Sequence, residues 1–126
     1  MFFHQMLQKL LLICLTFVSF ISADADDHWA VIVAGSKDYE NYRHHADIYH
    51  AWHIMRSNGI PEDNIILFAY DNIAFDPNNP FPGQIFNRPS PGSPGVDVKH
   101  NVTIDYLGND VTLSALNLTL RGQWES

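Results

Sequence analysis

Residues 29–34 read Trp-Ala-Val-Ile-Val-Ala and residues 65–70 read Ile-Ile-Leu-Phe-Ala-Tyr, two continuous apolar runs rich in β-branched and aromatic side chains. An apolar run without alternation is the pattern of a strand buried on both faces. The first run stops at Gly35-Ser36 and the second at Asp71-Asn72. Between them, after a polar loop over Lys37-Asp38-Tyr39-Glu40, the apolar residues Ile48, Ala51, Trp52 and Met55 recur at +3, +4 and +7. That spacing predicts an amphipathic helix over 42–57. Asn58-Gly59 should end it, because glycine adopts the left-handed conformation at little cost and Pro61 cannot extend a helix. Strand, helix and strand with short connections predict a βαβ unit, hence parallel strands, a right-handed crossover and an α/β fold. In such folds ligands sit beyond the carboxyl ends of the strands, which directs attention to the segments after Ala34 and Tyr70.

Downstream, six of the seven prolines fall between Pro77 and Pro94, interleaved with Asn78, Asn79, Gly83, Gly92 and Gly95. Proline removes backbone donors, so this stretch reads as a surface excursion. Val102-Thr103-Ile104-Asp105-Tyr106 alternates weakly and predicts a short strand, with a turn at Gly108-Asn109. Thr112 reads as a helix N-cap, and Leu113, Leu116 and Leu120 predict a second short helix ending near Arg121-Gly122. A parallel sheet requires more strands and cover on both faces. The inventory therefore reads as part of a larger sheet.

Upstream, Leu10–Phe20 is an apolar run preceded by Lys9 and followed by the small residues around Ala23 and Ala25. This is the layout of a secretory signal peptide over 1–25, leaving 26–126 as one domain. The run is shorter than the roughly 20 residues a spanning helix needs, so no membrane association is expected once it is removed. Export gives meaning to two glycosylation sequons, at Asn101 and Asn117. Across 126 residues, 14 acidic against 7 basic side chains give a net charge of -7. The basic residues are scattered singly, which argues against nucleic acid as a partner. The only cysteine, Cys14, lies in the signal, so the mature chain offers no disulfide, no cysteine zinc site and no thiol nucleophile.

Asn41, Tyr42, Arg43, His44, His45 and Asp47 crowd the start of the helix, close to the carboxyl end of the first strand. Arginine offers a rigid fork of donors suited to an amide oxygen or carboxylate, and histidine switches charge near pH 6. The plain alternative is a polar helix start with a capping carboxylate. His44, His45, His50 and His53 raise a metal reading, but with no cysteine and no well-placed third ligand a solvated histidine face is preferred, and no metal or cofactor is expected. One glycine in Val33-Ala34-Gly35-Ser36 does not make a phosphate loop. Six histidines outside the signal would offset much of the acidic excess near pH 5, which suits an acidic compartment.

His28–Ser36, Asn41-Tyr42-Arg43-His44-His45-Ala46-Asp47, Asn58-Gly59-Ile60-Pro61, Tyr70-Asp71-Asn72-Ile73-Ala74 and Asn79-Pro80-Phe81-Pro82-Gly83 together resemble, in order and spacing, the start of legumains, the asparaginyl endopeptidases. The resemblance runs from about Trp29 to Gly122. The catalytic subunit of the glycosylphosphatidylinositol transamidase shares the Asn-Tyr-Arg-His stretch, but its strand end and acidic turn differ more.

The resemblance implies a caspase-like three-layer α/β sandwich, present as its N-terminal βαβ part, the proline-rich excursion and a second short helix. It also implies thiol-protease chemistry, in which a thiolate forms an acyl-enzyme that water hydrolyses, acting on peptide or protein substrates after Asn and less readily after Asp. Asn41 corresponds to the asparagine that supports the catalytic histidine. Arg43 and His44 correspond to residues lining the pocket for the substrate asparagine. A primary amide presents one acceptor and two donors, so Arg43 suits the carbonyl oxygen while acids must serve the NH₂.

The chain departs from the pattern in holding no His-Gly pair and no cysteine beyond the signal, and in placing Tyr49 where many relatives have cysteine. Nucleophilic catalysis needs a thiolate beside its base, so the expectation is a lysosomal, vacuolar or secreted protease part that is inactive alone. The alternatives are a secreted inactive substrate-binding decoy and a transamidase-like fragment.

Overall fold

The computed structural model describes residues 28–88, 92 and 95–123. The expected signal peptide over 1–25, with Cys14, lies outside the described residues. Three strands, β1 (Ala30–Val33), β2 (Ile65–Ala69) and β3 (Tyr106–Leu107), form one parallel sheet in the order β1-β2-β3. Helix α1 (Tyr42–Ser57) links β1 to β2, and α2 (Leu113–Leu120) follows β3. The fold is α/β, consistent with the N-terminal portion of a caspase-like sandwich.

The register Ala30 to Ile65 and Ile32 to Leu67 puts these side chains on one face of the sheet. There they join Ala46, Ile48, Tyr49 and Trp52 of α1 in the core. The other face carries Val31, Val33, Ile66 and Phe68, and Phe68 stacks on Tyr106 with ring centroids 4.1 Å apart. β2 is buried along its whole length, as expected for a central strand. β1 is not: Val31 and Val33 are each 37% exposed. The unbroken apolar run predicts burial on both faces, but β1 lies at a sheet edge where α1 covers only one face.

α1 spans the expected residues, and Asn58 and Gly59 close it, the latter at φ 93° with its N–H on Arg56 O. Its start departs from the expectation, because no carboxylate caps it and Asn41 makes no side-chain cap. Instead Asn41 ends a 3-10 turn (Tyr39–Asn41) and donates its Nδ2 to Lys37 O at 2.8 Å. The predicted solvated histidine face is also corrected: His45 is fully buried, and half-buried His53 hydrogen-bonds Val98 O through Nε2 at 3.0 Å. His45, Ile48, Tyr49 and Trp52 form the buried +3, +4, +7 stripe, whose centre lies nearer the N-terminus than the all-apolar set suggested.

The predicted strand over 102–106 contracts to Tyr106–Leu107. Asp105 explains the contraction. Its backbone N–H donates to Leu67 O while its carboxylate accepts from Leu67 N–H at 2.8 Å, so a side chain occupies the place of a ladder carbonyl. Val102 and Ile104 ahead of it pack on the core instead. The proline-rich stretch is likewise more than a surface excursion. Ile85 and Val98 are buried, Val98 N–H donates to Ile85 O, and Phe86 pairs antiparallel with Asp97, pinning the loop to the core. Thr112 caps α2 as expected, its side-chain oxygen accepting from Ala115 N–H.

Candidate functional site

At the carboxyl ends of β1 and β2 the chain makes two sharp departures, with Asp38 at φ 69° and Asp71 at φ 56°. Aspartate tolerates this left-handed region because its short polar side chain bonds locally. Asp38 N–H donates to Asn72 Oδ1 at 3.1 Å and Asn72 Nδ2 donates to Asp38 Oδ1 at 2.8 Å, tying the two loops together. Strained residues held at strand ends are characteristic of functional sites.

Two concavities flank the end of β1 and share Val33, Ala34, Gly35 and Ser36 as a common wall. One is an apolar trough of about 470 Å³ running over Phe68 to Leu113 and Leu116 of α2. The other, about 430 Å³, is completed by His44, Asp47 and Ile48 of α1. The first also carries Lys37 and Tyr70, but the second joins a histidine to a carboxylate.

In that pocket the Ser36 hydroxyl and His44 Nδ1 are 2.7 Å apart. Asp47 Oδ1 accepts from Asn87 Nδ2 at 3.1 Å, and the same amide group donates to Ala46 O. The structure therefore brings His44 and Asp47 together, one helical turn apart. Arg43 is exposed and does not line the cavity. Asn41 stands in the turn before them, held by Lys37 O. Tyr42 turns the other way, and its hydroxyl oxygen accepts from Phe86 N–H at 2.6 Å. Burial holds the Tyr42 hydroxyl above its ordinary pKa.

A second polar cluster joins His45 to Tyr49, Asp71 and Lys99, three residues that the sequence-based site did not include. Tyr49 Oη donates to Asp71 Oδ1 at 2.6 Å, and Lys99 Nζ pairs with Asp71 Oδ2 at 2.7 Å. His45 Nε2 accepts weakly from Asp71 N–H at 3.4 Å, while His45 Nδ1 is buried without a partner. Burial lowers the pKa of His45. The helical spacing of His45 and Tyr49 from Ile48 and Trp52 was the available signal that both face inward. No sequence signal linked Asp71 to Lys99.

The Asn101 side chain is exposed in a turn at φ 57°, and the Thr103 hydroxyl of its sequon hydrogen-bonds Glu62. Asn117 is exposed on α2, whereas Thr119 of that sequon is buried and directed at Tyr106 Oη. Among the described residues no three His, Cys, Asp or Glu side chains cluster as a metal site, and no helix is long and apolar enough to cross a membrane.

Residues 28–126 match the model of the peptidase C13 family. The chain is 47% identical to human legumain over 103 residues, covering 82% of this chain and 23% of that protein. It is 43% identical over 102 residues to a legumain of Canavalia ensiformis, covering 81% and 21%. It is 51% identical over 85 residues to a vacuolar-processing enzyme of Citrus sinensis, covering 68% and 16%. The chain thus spans between 16% and 23% of the length of these relatives. An α/β sheet with its polar cluster at the strand ends, joined to this similarity over most of the residues, makes the chain a member of the peptidase C13, or legumain, family.

Proposed function

We propose that this chain forms the N-terminal part of a legumain-type cysteine endopeptidase that hydrolyses protein substrates after Asn and less readily after Asp. The observation that carries the reading is the family match over residues 28–126, and the cavity lined by His44 at the carboxyl end of β1 supports it. His44 lines the pocket for the substrate asparagine, with exposed Arg43 reaching over its rim to the amide oxygen. Asn41 supports the catalytic histidine of the complete enzyme. Residues 26–126 contain no cysteine, so by themselves they offer no thiolate and are inactive alone. Residues 1–25 act as a signal peptide. The mature protein follows the secretory route to a lysosome-like or vacuole-like compartment, in keeping with the vacuolar name of the citrus relative. Asn101 and Asn117 are its glycan acceptors.

The test is calorimetric titration of the purified chain with acetyl-Ala-Ala-Asn-amide. Saturable binding weakened by Arg43→Ala is the expected result, with no hydrolysis of the matching fluorogenic reporter. Equal affinity in the Arg43→Ala variant, or turnover by the chain alone, would refute the reading.

A further inference from the structure

We propose that Asp38 and Asn72 are positioning residues, a clasp between two strand ends that grips the Lys37–Asp38 peptide unit and thereby holds Asn41 with its carboxamide oxygen presented outward. The inference rests on the supporting role proposed for Asn41 and adds two residues to it.

The series of contacts starts at the central strand. Asp71 leaves β2 with its carboxylate held by Tyr49 and Lys99, so the turn that carries Asn72 is fixed to α1 and to the segment around Lys99. From that turn Asn72 reaches 34 positions back along the chain. Its Oδ1 accepts from Asp38 N–H at 3.1 Å and its Nδ2 donates to Asp38 Oδ1 at 2.8 Å, so one side chain engages both the backbone and the carboxylate of Asp38. Asp38 needs such a hold, because φ 69° with ψ 158° is a combination nearly confined to glycine and persists only where the surroundings impose it.

A trans peptide unit is planar, with its C=O and N–H on opposite edges. The Lys37–Asp38 unit therefore offers its N–H to Asn72 on one edge and its carbonyl to Asn41 Nδ2, at 2.8 Å, on the other. Asp38 O also accepts from Asn41 N–H at 3.0 Å, closing the 3-10 turn that Asp38 begins. A carbonyl only accepts, so the NH₂ group of Asn41 must face Lys37 O and its Oδ1 is turned away. The hydrogen bonds run in one direction, from Asn41 through the peptide unit and Asn72 to the Asp38 carboxylate. Each bond in such a series polarises the next, and the negative end makes Asn41 Oδ1 a stronger acceptor for an N–H such as that of an imidazole. Asn72 thus orients Asn41 without touching it.

The test follows the Asn41 side-chain amide of the purified, ¹⁵N-labelled chain by NMR, reading proton exchange at Nδ2 together with main-chain exchange at Ile66 and Leu67 in β2. Asn72→Ala should speed exchange at Asn41 Nδ2 about fivefold, the size of one net hydrogen bond, and leave Ile66 and Leu67 unchanged. Asn72→Asp should do the same, since it has no donor for Asp38 and sets two carboxylates against each other. Combining Asn72→Asp with Asp38→Asn exchanges the partners, restores a donor and an acceptor across the clasp, and should return Asn41 to the wild-type rate. An unaltered Asn41 in Asn72→Ala, an equal acceleration at Ile66 and Leu67, or no recovery in the double variant would overturn the inference. The peptide titration of the proposed function is read separately: failure there removes the enzyme reading and leaves the clasp standing, while failure here leaves peptide binding intact.

Discussion

Tyr49, in the middle of α1, donates its hydroxyl to Asp71 Oδ1 at 2.6 Å, joining the helix to the turn that leaves the central strand. Asp71 is at the same time paired with Lys99, whose ammonium lies 4.9 Å from the Tyr49 ring centroid. One phenol, one carboxylate and one ammonium thus lock three separated segments. Burial and the Asp71 carboxylate push the Tyr49 hydroxyl well above the ordinary phenol range, so it remains a donor.

Tyr49→Phe keeps the ring and removes that donor. A hydrogen bond to a charged group contributes about 1.5–3 kcal/mol, and the carboxylate retains Lys99, so a loss of about 2 kcal/mol is expected. Urea denaturation at pH 7 measures it. A variant as stable as the wild type would mean that water serves Asp71 equally well.

His45 makes stability fall on acidification. Burial lowers its folded pKa below the ordinary 6.5, so between those two values the unfolded chain binds a proton that the folded chain refuses. Stability therefore declines as pH drops below 6.5 and stops declining, for this group, beneath the folded pKa. Thermal unfolding at pH 7.5 and pH 5 should show a lower midpoint at pH 5, and His45→Gln should shrink the difference. An unchanged difference in the variant would assign the acid sensitivity elsewhere.

Asp105 tests whether a side chain can stand in for a strand. Its carboxylate accepts from the fully buried Leu67 N–H, so Asp105→Ala leaves that donor unpaired at a cost of about 1–3 kcal/mol. Asp105→Asn keeps an acceptor oxygen and removes a charge whose pKa burial has raised. It should be close to neutral at pH 7. Equal losses in both variants would show that charge, not acceptance, matters there.

Thr112→Ala removes the α2 cap and should cost about 1 kcal/mol, while Thr112→Ser should be silent. Circular dichroism during urea unfolding separates the two. Because α2 has only eight residues, its intrinsic stability is small and the lost cap should also reduce native helicity.

The extent of α1, the central strand β2, the cap at Thr112 and the Asn58-Gly59 stop were legible in the chain, because apolar periodicity, caps and glycine act over a few residues. β1 was legible as a strand but not as a half-covered one, since burial depends on which neighbours a strand acquires. The weak alternation at 102–106 misplaced β3, since local pattern carries no information about Asp105 meeting Leu67. In the candidate site, adjacency on one helix made Asn41, Arg43 and His44 easy to group. The group then divides, because successive helical residues point about 100° apart, and only His44 turns to the cavity.

From its order of residues alone this protein is an α/β chain with a polar helix start beside a strand end, and its five motifs resemble legumains. Only the tertiary structure decided that Ser36 meets His44, that Asp47 shares their pocket, and that Tyr49, Asp71 and Lys99 close on one another. The hydrogen-bonded pairs among them are 8, 22 and 28 positions apart in the chain. They exist because the parallel crossover carries the end of each strand to the same edge of the sheet, a consequence of packing that no local window contains.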